Sequence, residues 1–479
     1  MQKKTDIHFT NHPLSCPDDV LHILKTLQED GHQAVLAGGC VRDWIMGKTA
    51  HDWDIATSAK PEQVEKLFPR TLPLGKAFGI IVILLHHQQY EVATFRGDGD
   101  YRDGRHPSSI FYASMEEDVK RRDFTVNAML YDPIVHKLYD FVNGQQDLKS
   151  HILRTVGIPA RRFAEDKLRI LRGIRFAANL NFTLESETWQ ALKQEALKIH
   201  CVSIERITVE LEKILLGGNS YHGFKLLRDA GLLKEILPEV HALINVKQPP
   251  QFHPEGDVWN HTMLMMKEWD RILPLLQEPT EDPHMRFKDT ILNEATAEEK
   301  RTLAWATLLH DIGKPSTFMI TDRIRFNGHD IIGARMAEKI LKRLKMPTIL
   351  IENICFLIHQ HMSLVMFPQM RIAKRRRKLQ EPLFPLLLEL ARLDCVCSHH
   401  MVELHHDICK MWLKEITLPK QPKPLISGKD LIAEGYKPGP LFCKILQEVH
   451  DAYLEDIIHT KEEALYWVQK KYNNSPSTT

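Results

Sequence analysis

The chain has 479 residues, 43% of them hydrophobic and 26% charged, and a formal net charge of +1. That length exceeds what one hydrophobic core serves and implies roughly two to four domains. Near-neutrality excludes a chain coated in basic charge, while leaving room for a local basic groove. The eight cysteines include no Cys-x-x-Cys pair, which argues against a zinc ribbon or a thioredoxin motif and suits a reducing cytoplasm. The first twenty residues lack an apolar signal core, and the longest aliphatic run, Ile80 to Leu85, is too short to span a membrane. The expectation is a cytoplasmic protein without membrane contact.

In chain order, Val20 to Leu27 reads as an amphipathic helix. An apolar run, Ala34 to Ala37, then ends at Gly38-Gly39, and a helix-like segment, Val41 to Met46, carries Arg42 and Asp43. Strand, glycine turn and helix start make a phosphate-cradling arrangement, with free backbone N–H groups pointing at the anion. Asp52-Trp53-Asp54 follows in an extended stretch, Asp52 to Thr57. Alternate residues of a strand share a face, so both carboxylates point one way and Trp53 the other. Hard cations take oxygen ligands, and two of them about 3.5–4 Å apart clamp the attacking and leaving oxygens of a phosphoryl transfer. Taken singly, Gly-Gly is a plain turn and Asp-x-Asp a common dipeptide pattern.

Pro61 to Phe68 reads as a short helix with proline at its start. Ile80 to Leu85 and Tyr90 to Phe95 read as strands joined by His86 to Gln89, the second carrying Glu91. Gly97 to Pro107, with three glycines and three aspartates, reads as a loop. In Arg121-Arg-Asp-Phe-Thr-Val-Asn-Ala128, Arg121 and Arg122 suit triphosphate oxygens. Asp123 and Asn127 are expected at i and i+4 on one helix face, facing ribose hydroxyls; the alternative is a helix N-cap with a charged flank. From Ser150 the pattern turns helical. Residues 149 to 175 hold eight Lys or Arg against Glu165 and Asp166, a local basic surface hidden by the neutral total. Asp166 and Arg169, at i and i+3, are expected to share a helix face. Read alone they are an ordinary surface ion pair.

These motifs together resemble the nucleotidyltransferase core of the class II CCA-adding enzymes and bacterial poly(A) polymerases, over about residues 30 to 240. The resemblance implies that Asp52, Asp54 and Glu91 are the catalytic carboxylates holding Mg2+. It implies that Gly38, Gly39, Arg42, Asp43, Arg121, Arg122, Asp123, Asn127, Asp166, Arg169 and Arg172 bind the nucleotide. Asp166 and Arg169 would then read the base. A carboxylate accepts from an exocyclic amine and a guanidinium donates to the adjacent acceptor, so cytosine and adenine are taken and uracil and guanine refused, with no template. The Gly97–Pro107 loop would help the site switch from CTP to ATP. Asp140 to Leu148 resembles a hinge, with Phe-Val-Asn where Pro-x-Gly-Gly is commoner. Ser203 to Lys213 resembles a neck-stabilising helix, structural in role, with Arg206 bracing the base-reading helix.

Further on, His261, His310-Asp311, His329, His359, His361 and Asp394 appear in order, and Leu308 to Pro315 resembles the HD phosphohydrolase signature. By that analogy His261, His310, Asp311 and Asp394 hold one divalent cation, His329 and His359 or His361 another, and Lys314 contacts phosphate. Imidazole with carboxylate favours a transition metal; the alternative is an HD scaffold with structural histidines. Residues 278 to 298 read as a polar insertion. Arg371 to Lys378 reads as a solvated helix face or an RNA phosphate contact. Gln421 to Pro424 reads as a linker, Gly435 to Pro440 as a turn before a helix at Leu441 to Tyr453, and Asn473 to Thr479 as disordered.

The expected fold class is α+β. A nucleotidyltransferase head with a mixed sheet (1–148) leads into an all-helical neck (149–245), an HD domain (246–400) and a tail that contacts tRNA (401–479). The expected function is template-independent addition of CCA to tRNA 3′ ends from CTP and ATP, releasing pyrophosphate. The alternatives are a poly(A) polymerase or A-adding enzyme, an HD metal phosphohydrolase with an RNA-binding head, and a non-catalytic RNA-binding protein.

Overall fold

The computed structural model describes residues 14–50, 52–99, 109–277, 290–292, 294–417 and 424–472. They fall into two compact units, one ending at His241 and the other beginning at Ala242.

The first unit is built on a seven-stranded mixed sheet. Its strands are β1 (Ala34–Ala37), β2 (Asp54–Thr57), β3 (Thr71–Leu72), β4 (Ile80–Leu85), β5 (Gln88–Thr94), β8 (Leu130–Asp132) and β9 (Lys137–Tyr139), in the order β3-β4-β5-β2-β1-β8-β9. A separate two-stranded pair, β6 (Arg96–Asp98) and β7 (Ile110–Tyr112), stands beside it. Helices α1 (Asp18–Glu29), α2 (Gly39–Ile45), α3 (Pro61–Leu67) and α4 (Met115–Lys120) are set between the strands. Four aliphatic residues in β1 are all buried, while β5 alternates buried Tyr90, Val92 and Thr94 with exposed Glu91, as a strand with one wet face must. Val35, Ala37, Ala56 and Leu130 of the sheet pack on Met115 and Val119 of α4, so α4 is held by the same core that holds the central strands.

Register decides what the sheet presents. β2 and β5 run parallel with Ile55 opposite Val92, and β1 pairs antiparallel with β2, Ala37 opposite Asp54. One residue back from the Ile55–Val92 pair, Asp54 and Glu91 lie side by side on one face. The strand begins at Asp54 rather than Asp52; Asp52 precedes the ladder and reaches the same edge from the chain that enters it. The loop expected from Gly97 starts later, because Gly97 is paired in β6 opposite Phe111. Residues 100–108 of that loop lie outside the described residues.

After α5 (Gly144–Ser150), the helices α6 (Pro159–Glu165), α7 (Leu168–Leu180), α8 (Ser186–Glu195) and α9 (Ile204–Leu215) begin the helical part of the first unit, which continues through Ser220–Asp229, Leu232–Ile236 and Pro238–His241. It is not wholly helical: Ile152–Leu153 pairs in parallel with Thr183–Leu184. The second unit is helical around the helices Val258–Ile272, Ala297–Leu309, His329–Arg343, Thr348–Gln360 and Phe384–Cys397, with a small hairpin of Met319–Ile320 and Ile324–Arg325. Thr290 to Leu292, expected in a polar insertion, are buried, and the Ile291 N–H donates to Glu389 at 2.7 Å. Helix Ala297–Leu309 begins inside the expected insertion, capped by Thr296. No described helix is long and apolar enough to cross a membrane.

Candidate active site

In the first unit, β1 ends at Gly38, which turns with φ +76° into α2. Glycine suits this turn through its backbone conformation. That φ is left-handed, and a Cβ would stand 3.4 Å from Asp54 Oδ2 and 3.6 Å from Arg122 Nη1. The turn therefore lets backbone, carboxylate and guanidinium meet at one point. Asp54 stays open to solvent, yet the atoms around it remove enough water to raise its carboxyl above the ordinary range. Repulsion from Glu91 and Asp52 adds to the rise, and Arg122 opposes it. Asp52, Asp54 and Glu91 together are an oxygen-only donor set suited to a hard cation.

The arginines are held before any ligand arrives. Arg121 and Arg122 share Asp118, which is almost fully buried, at 2.8 and 3.1 Å. Arg42 grips its neighbour Asp43 through Nε and Nη2, both 2.9 Å, and donates through Nη1 to Asn127 Oδ1 at 2.5 Å. Phe176 was not singled out by its sequence context. Its ring is flanked by Arg175 at 4.2 Å, Arg172 at 5.2 Å and Arg42 at 5.6 Å, a cation–π cluster that ties α2 to α7.

Two expected helix faces are replaced by other geometry. Asp123 and Asn127 do not lie at i and i+4 of one helix. Phe124 is extended and bridges Thr155, and only Thr125–Asn127 form a single 3-10 turn. The two side chains therefore part: Asn127 meets Arg42, and Asp123 takes Arg172 Nε at 2.7 Å and the Phe124 N–H at 2.8 Å. Burial raises the Asp123 carboxyl, but the charge and hydrogen bond of Arg172, with the Arg169 charge and the Phe124 N–H, together hold the group below its ordinary range. Asp166 and Arg169 likewise do not share a helix. Asp166 is extended at the end of α6, and its carboxylate accepts from the Leu168 N–H at 3.0 Å, starting α7. Its partner is Arg206 of α9, at 2.8 Å, which matches the brace expected of Arg206. Arg169 pairs with Glu165 at 2.6 Å and donates to the Arg121 carbonyl at 3.2 Å. The break between α6 and α7 points the two side chains separately.

The second unit gathers most of its expected ligands. His261 Nε2 stands 3.0 Å from Asp394, and His310 Nε2 3.1 Å from Asp311. His261, His310 and Asp394 form one group of potential ligands; Asp311 joins His329 and His361 in another instead of completing the first. His361 is buried and His359 exposed, which decides between them. The Nδ1 atoms of His310, His329 and His361 face the carbonyls of Thr307, Phe326 and Ile358 at 3.0, 2.8 and 2.6 Å. Such bonds leave Nε2 as the ligand atom. His261 Nδ1 faces Glu255, 2.7 Å away. Glu255 was missed in the sequence, though His253-Pro-Glu255 lies just upstream of His261. Burial disfavours charge on His261, but Asp394 and Glu255 prevail and raise it to about 9. Burial and the neighbouring His310 and His329 push His361 down to about 4. Gly313 completes the packing, since a Cβ there would collide with the His329 carbonyl. Lys314 is buried on Asp311 at 2.7 Å and Gln248 at 2.7 Å. A cavity of ≈ 770 Å³ opens beside the cluster, lined by Asp311, Lys314, Arg325, His329, His361 and Asp394 among others.

The Arg371–Lys378 run is largely spoken for. Arg376 pairs with Glu415 at 3.3 Å and the Leu454 carbonyl at 2.9 Å, Arg377 with Asp451 at 3.2 Å, and Lys378 with Gln360 at 2.7 Å. These bonds dock the helix Ile372–Leu379 on its neighbours, which favours a structural role for that half of the run.

A carboxylate cluster on a mixed sheet, with arginines at a glycine turn and a helical neck behind it, is the arrangement of a polymerase-type nucleotidyltransferase head. Residues 34–154 match the poly A polymerase head domain, residues 181–244 the probable RNA and SrmB-binding site of polymerase A, and residues 285–396 the HD domain. It is 43% identical over 208 residues to a CCA-adding enzyme of Staphylococcus epidermidis and 45% over 207 residues to one of Staphylococcus aureus, each match covering 43% of this chain. The chain spans about half the length of these curated relatives, 52% of each. It also superposes on the Bacillus stearothermophilus CCA-adding enzyme in complex with CTP, with TM-score 0.67 and 25% identity over 95% of this chain and 96% of that one. The Thermotoga maritima CCA-adding enzyme complexed with tRNA shares the fold, with TM-score 0.58 and 20% identity over 95% and 96% of the two chains.

Proposed function

We propose that the chain is a template-independent nucleotidyltransferase that adds CCA to tRNA 3′ ends from CTP and ATP, releasing pyrophosphate, in the cytoplasm. The observation that carries this reading is the convergence of Asp52, Asp54 and Glu91 with Arg122 at the Gly38 turn. The carboxylates are all oxygen donors and fit Mg2+, which when bound lowers the pKa of the primer hydroxyl and stabilises the departing pyrophosphate. The chain's own groups do the rest. Asp52, Asp54 and Glu91 supply the negative face that assembles the reacting oxygens. Arg121 and Arg122 take triphosphate charge. Asp123 and Asn127 border the ribose position, and Asp166 and Arg169 read the amine and acceptor of cytosine or adenine. The primer oxygen forms its bond to the α-phosphorus as the bond to the bridging oxygen breaks, and that electron pair leaves with pyrophosphate. CTP and tRNA are the ligands named for the related structures, and they are proposed here for this chain. The test is single-nucleotide incorporation into a tRNA lacking CCA: Asp54→Asn should lose C and A together, and loss of one alone would contradict a shared site.

A second activity is favoured by one observation, the buried His/Asp cluster with a cavity beside it. The inward Nε2 atoms and their hydrogen-bonded Nδ1 partners fit transition metals, with His261, His310 and Asp394 as one ligand group and Asp311, His329 and His361 as another. Lys314 stands where it would meet a phosphate. Phosphoester hydrolysis that survives Asp54→Asn and is lost in Asp311→Ala would support it; hydrolysis unaffected by Asp311→Ala would refute it.

A further inference from the structure

Asp118 lies in α4, outside every motif that pointed to the site. Its side chain is 2% exposed. Its two oxygens are divided between two arginines. Oδ1 accepts from Arg121 Nε at 2.9 Å and from the Arg96 N–H at 3.3 Å, and Oδ2 accepts from Arg122 Nη2 at 3.1 Å. Burial works against its charge, yet Arg121 and Arg122 hold the carboxyl below its ordinary range, so it remains an anion. α4 itself is fixed, because Met115 and Val119 belong to the core beneath the central strands, and Ser114 caps it through Glu117. With Nη2 engaged, Arg122 turns Nη1 toward Gly38 and Asp54. Its Nε is buried without a hydrogen-bond partner among the described residues, so this guanidinium is incompletely satisfied without a ligand.

From this geometry we infer that Asp118 is a positioning residue for the triphosphate: it aims Arg121 and Arg122 as a pair and keeps Arg122 from collapsing onto the catalytic carboxylates. The inference rests on the nucleotidyltransferase reading. Arg122 already feels the charge of Asp54, and pairing with it in the absence of Asp118 would compete with both metal and phosphate. Asp118 thus separates two charge sets that would otherwise neutralise each other. Asparagine at this position keeps the shape, but it offers one acceptor oxygen to two guanidiniums and carries no charge.

The experiment uses the full chain with Mg2+ and compares dissociation constants for CTP, pyrophosphate and CMP, together with KM for CTP in incorporation, across the parent, Asp118→Asn and Asp118→Glu. CMP shares base and ribose with CTP but lacks the outer phosphates. In Asp118→Asn, CTP and pyrophosphate should weaken about tenfold, as expected for misplaced charge-assisted hydrogen bonds, while CMP changes less than about twofold. Asp118→Glu, which keeps the charge, should fall between parent and Asp118→Asn, and it carries the same comparison if the asparagine variant does not fold. Equal weakening of CTP and CMP would show a purely structural residue, and unchanged constants for both ligands would show arginines placed without Asp118; either overturns the inference. A parent that neither binds CTP nor incorporates any nucleotide would instead remove the nucleotidyltransferase reading, and the inference with it.

Discussion

Asp123 shows how one residue links fold to site. It is buried, its partner is Arg172 across the junction of head and helices, and it borders the proposed ribose position. Replacing it with asparagine leaves Arg172 short of an anion in a closed setting, a loss of about 1–3 kcal/mol in denaturant unfolding at neutral pH. The sign of the pH effect follows from its lowered carboxyl. Its folded pKa lies below its unfolded value, so its contribution is present above the unfolded pKa and is lost as pH falls through the folded one. Parent and Asp123→Asn should therefore converge in stability in strong acid. A gap that persists there would mean the pair is held by shape rather than charge. At the same scale, Asp54→Asn should abolish incorporation without lowering Tm, because it removes a charge that Glu91 and Asp52 repel; a Tm drop of several degrees would contradict that crowding.

Among elements, the break between α6 and α7 has the most consequence. A continuous helix would have set Asp166 and Arg169 on one face as a local ion pair. The break sends Asp166 to Arg206 of α9 and Arg169 to Glu165 and the Arg121 carbonyl. Base choice then depends on α9. Arg206→Met should loosen Asp166 and raise the relative use of UTP over CTP by several-fold, in the same direction as Asp166→Ala, while Mg2+ dependence stays unchanged. Retained preference for C and A in both variants would place selection elsewhere.

The same comparison shows what a sequence makes visible. The β-branched run before Glu91 is local and the sheet carried it as expected, whereas the strand expected from Asp52 starts only at Asp54. The helix expected at Asp123 to Asn127 failed because an isolated bridge to Thr155 holds Phe124 extended. Asp118, Phe176 and Glu255 were invisible because only tertiary packing brings them to the residues they orient. The histidines of the HD segment were legible by order, while only the fold shows that His361 is buried beside Asp311 and His329 and that His359 is exposed.

For the whole molecule, the carboxylate centre and the His/Asp centre are in different units of the chain, and each is complete within its own. They should therefore fail separately. Asp311→Ala should reduce bound transition metal, measured by elemental analysis of the purified protein, while CTP incorporation persists; equal metal in parent and variant would favour a structural role for the histidines. The central claim is the ordered addition of C, C and A, and it is tested most directly by offering labelled CTP and ATP to three RNAs: a tRNA lacking CCA, a tRNA ending in CC, and an unrelated RNA. The proposed enzyme incorporates two C and then one A on the first, a single A and no C on the second, and nothing on the third. Long A tails on the unrelated RNA, or no incorporation on any of them, would contradict it.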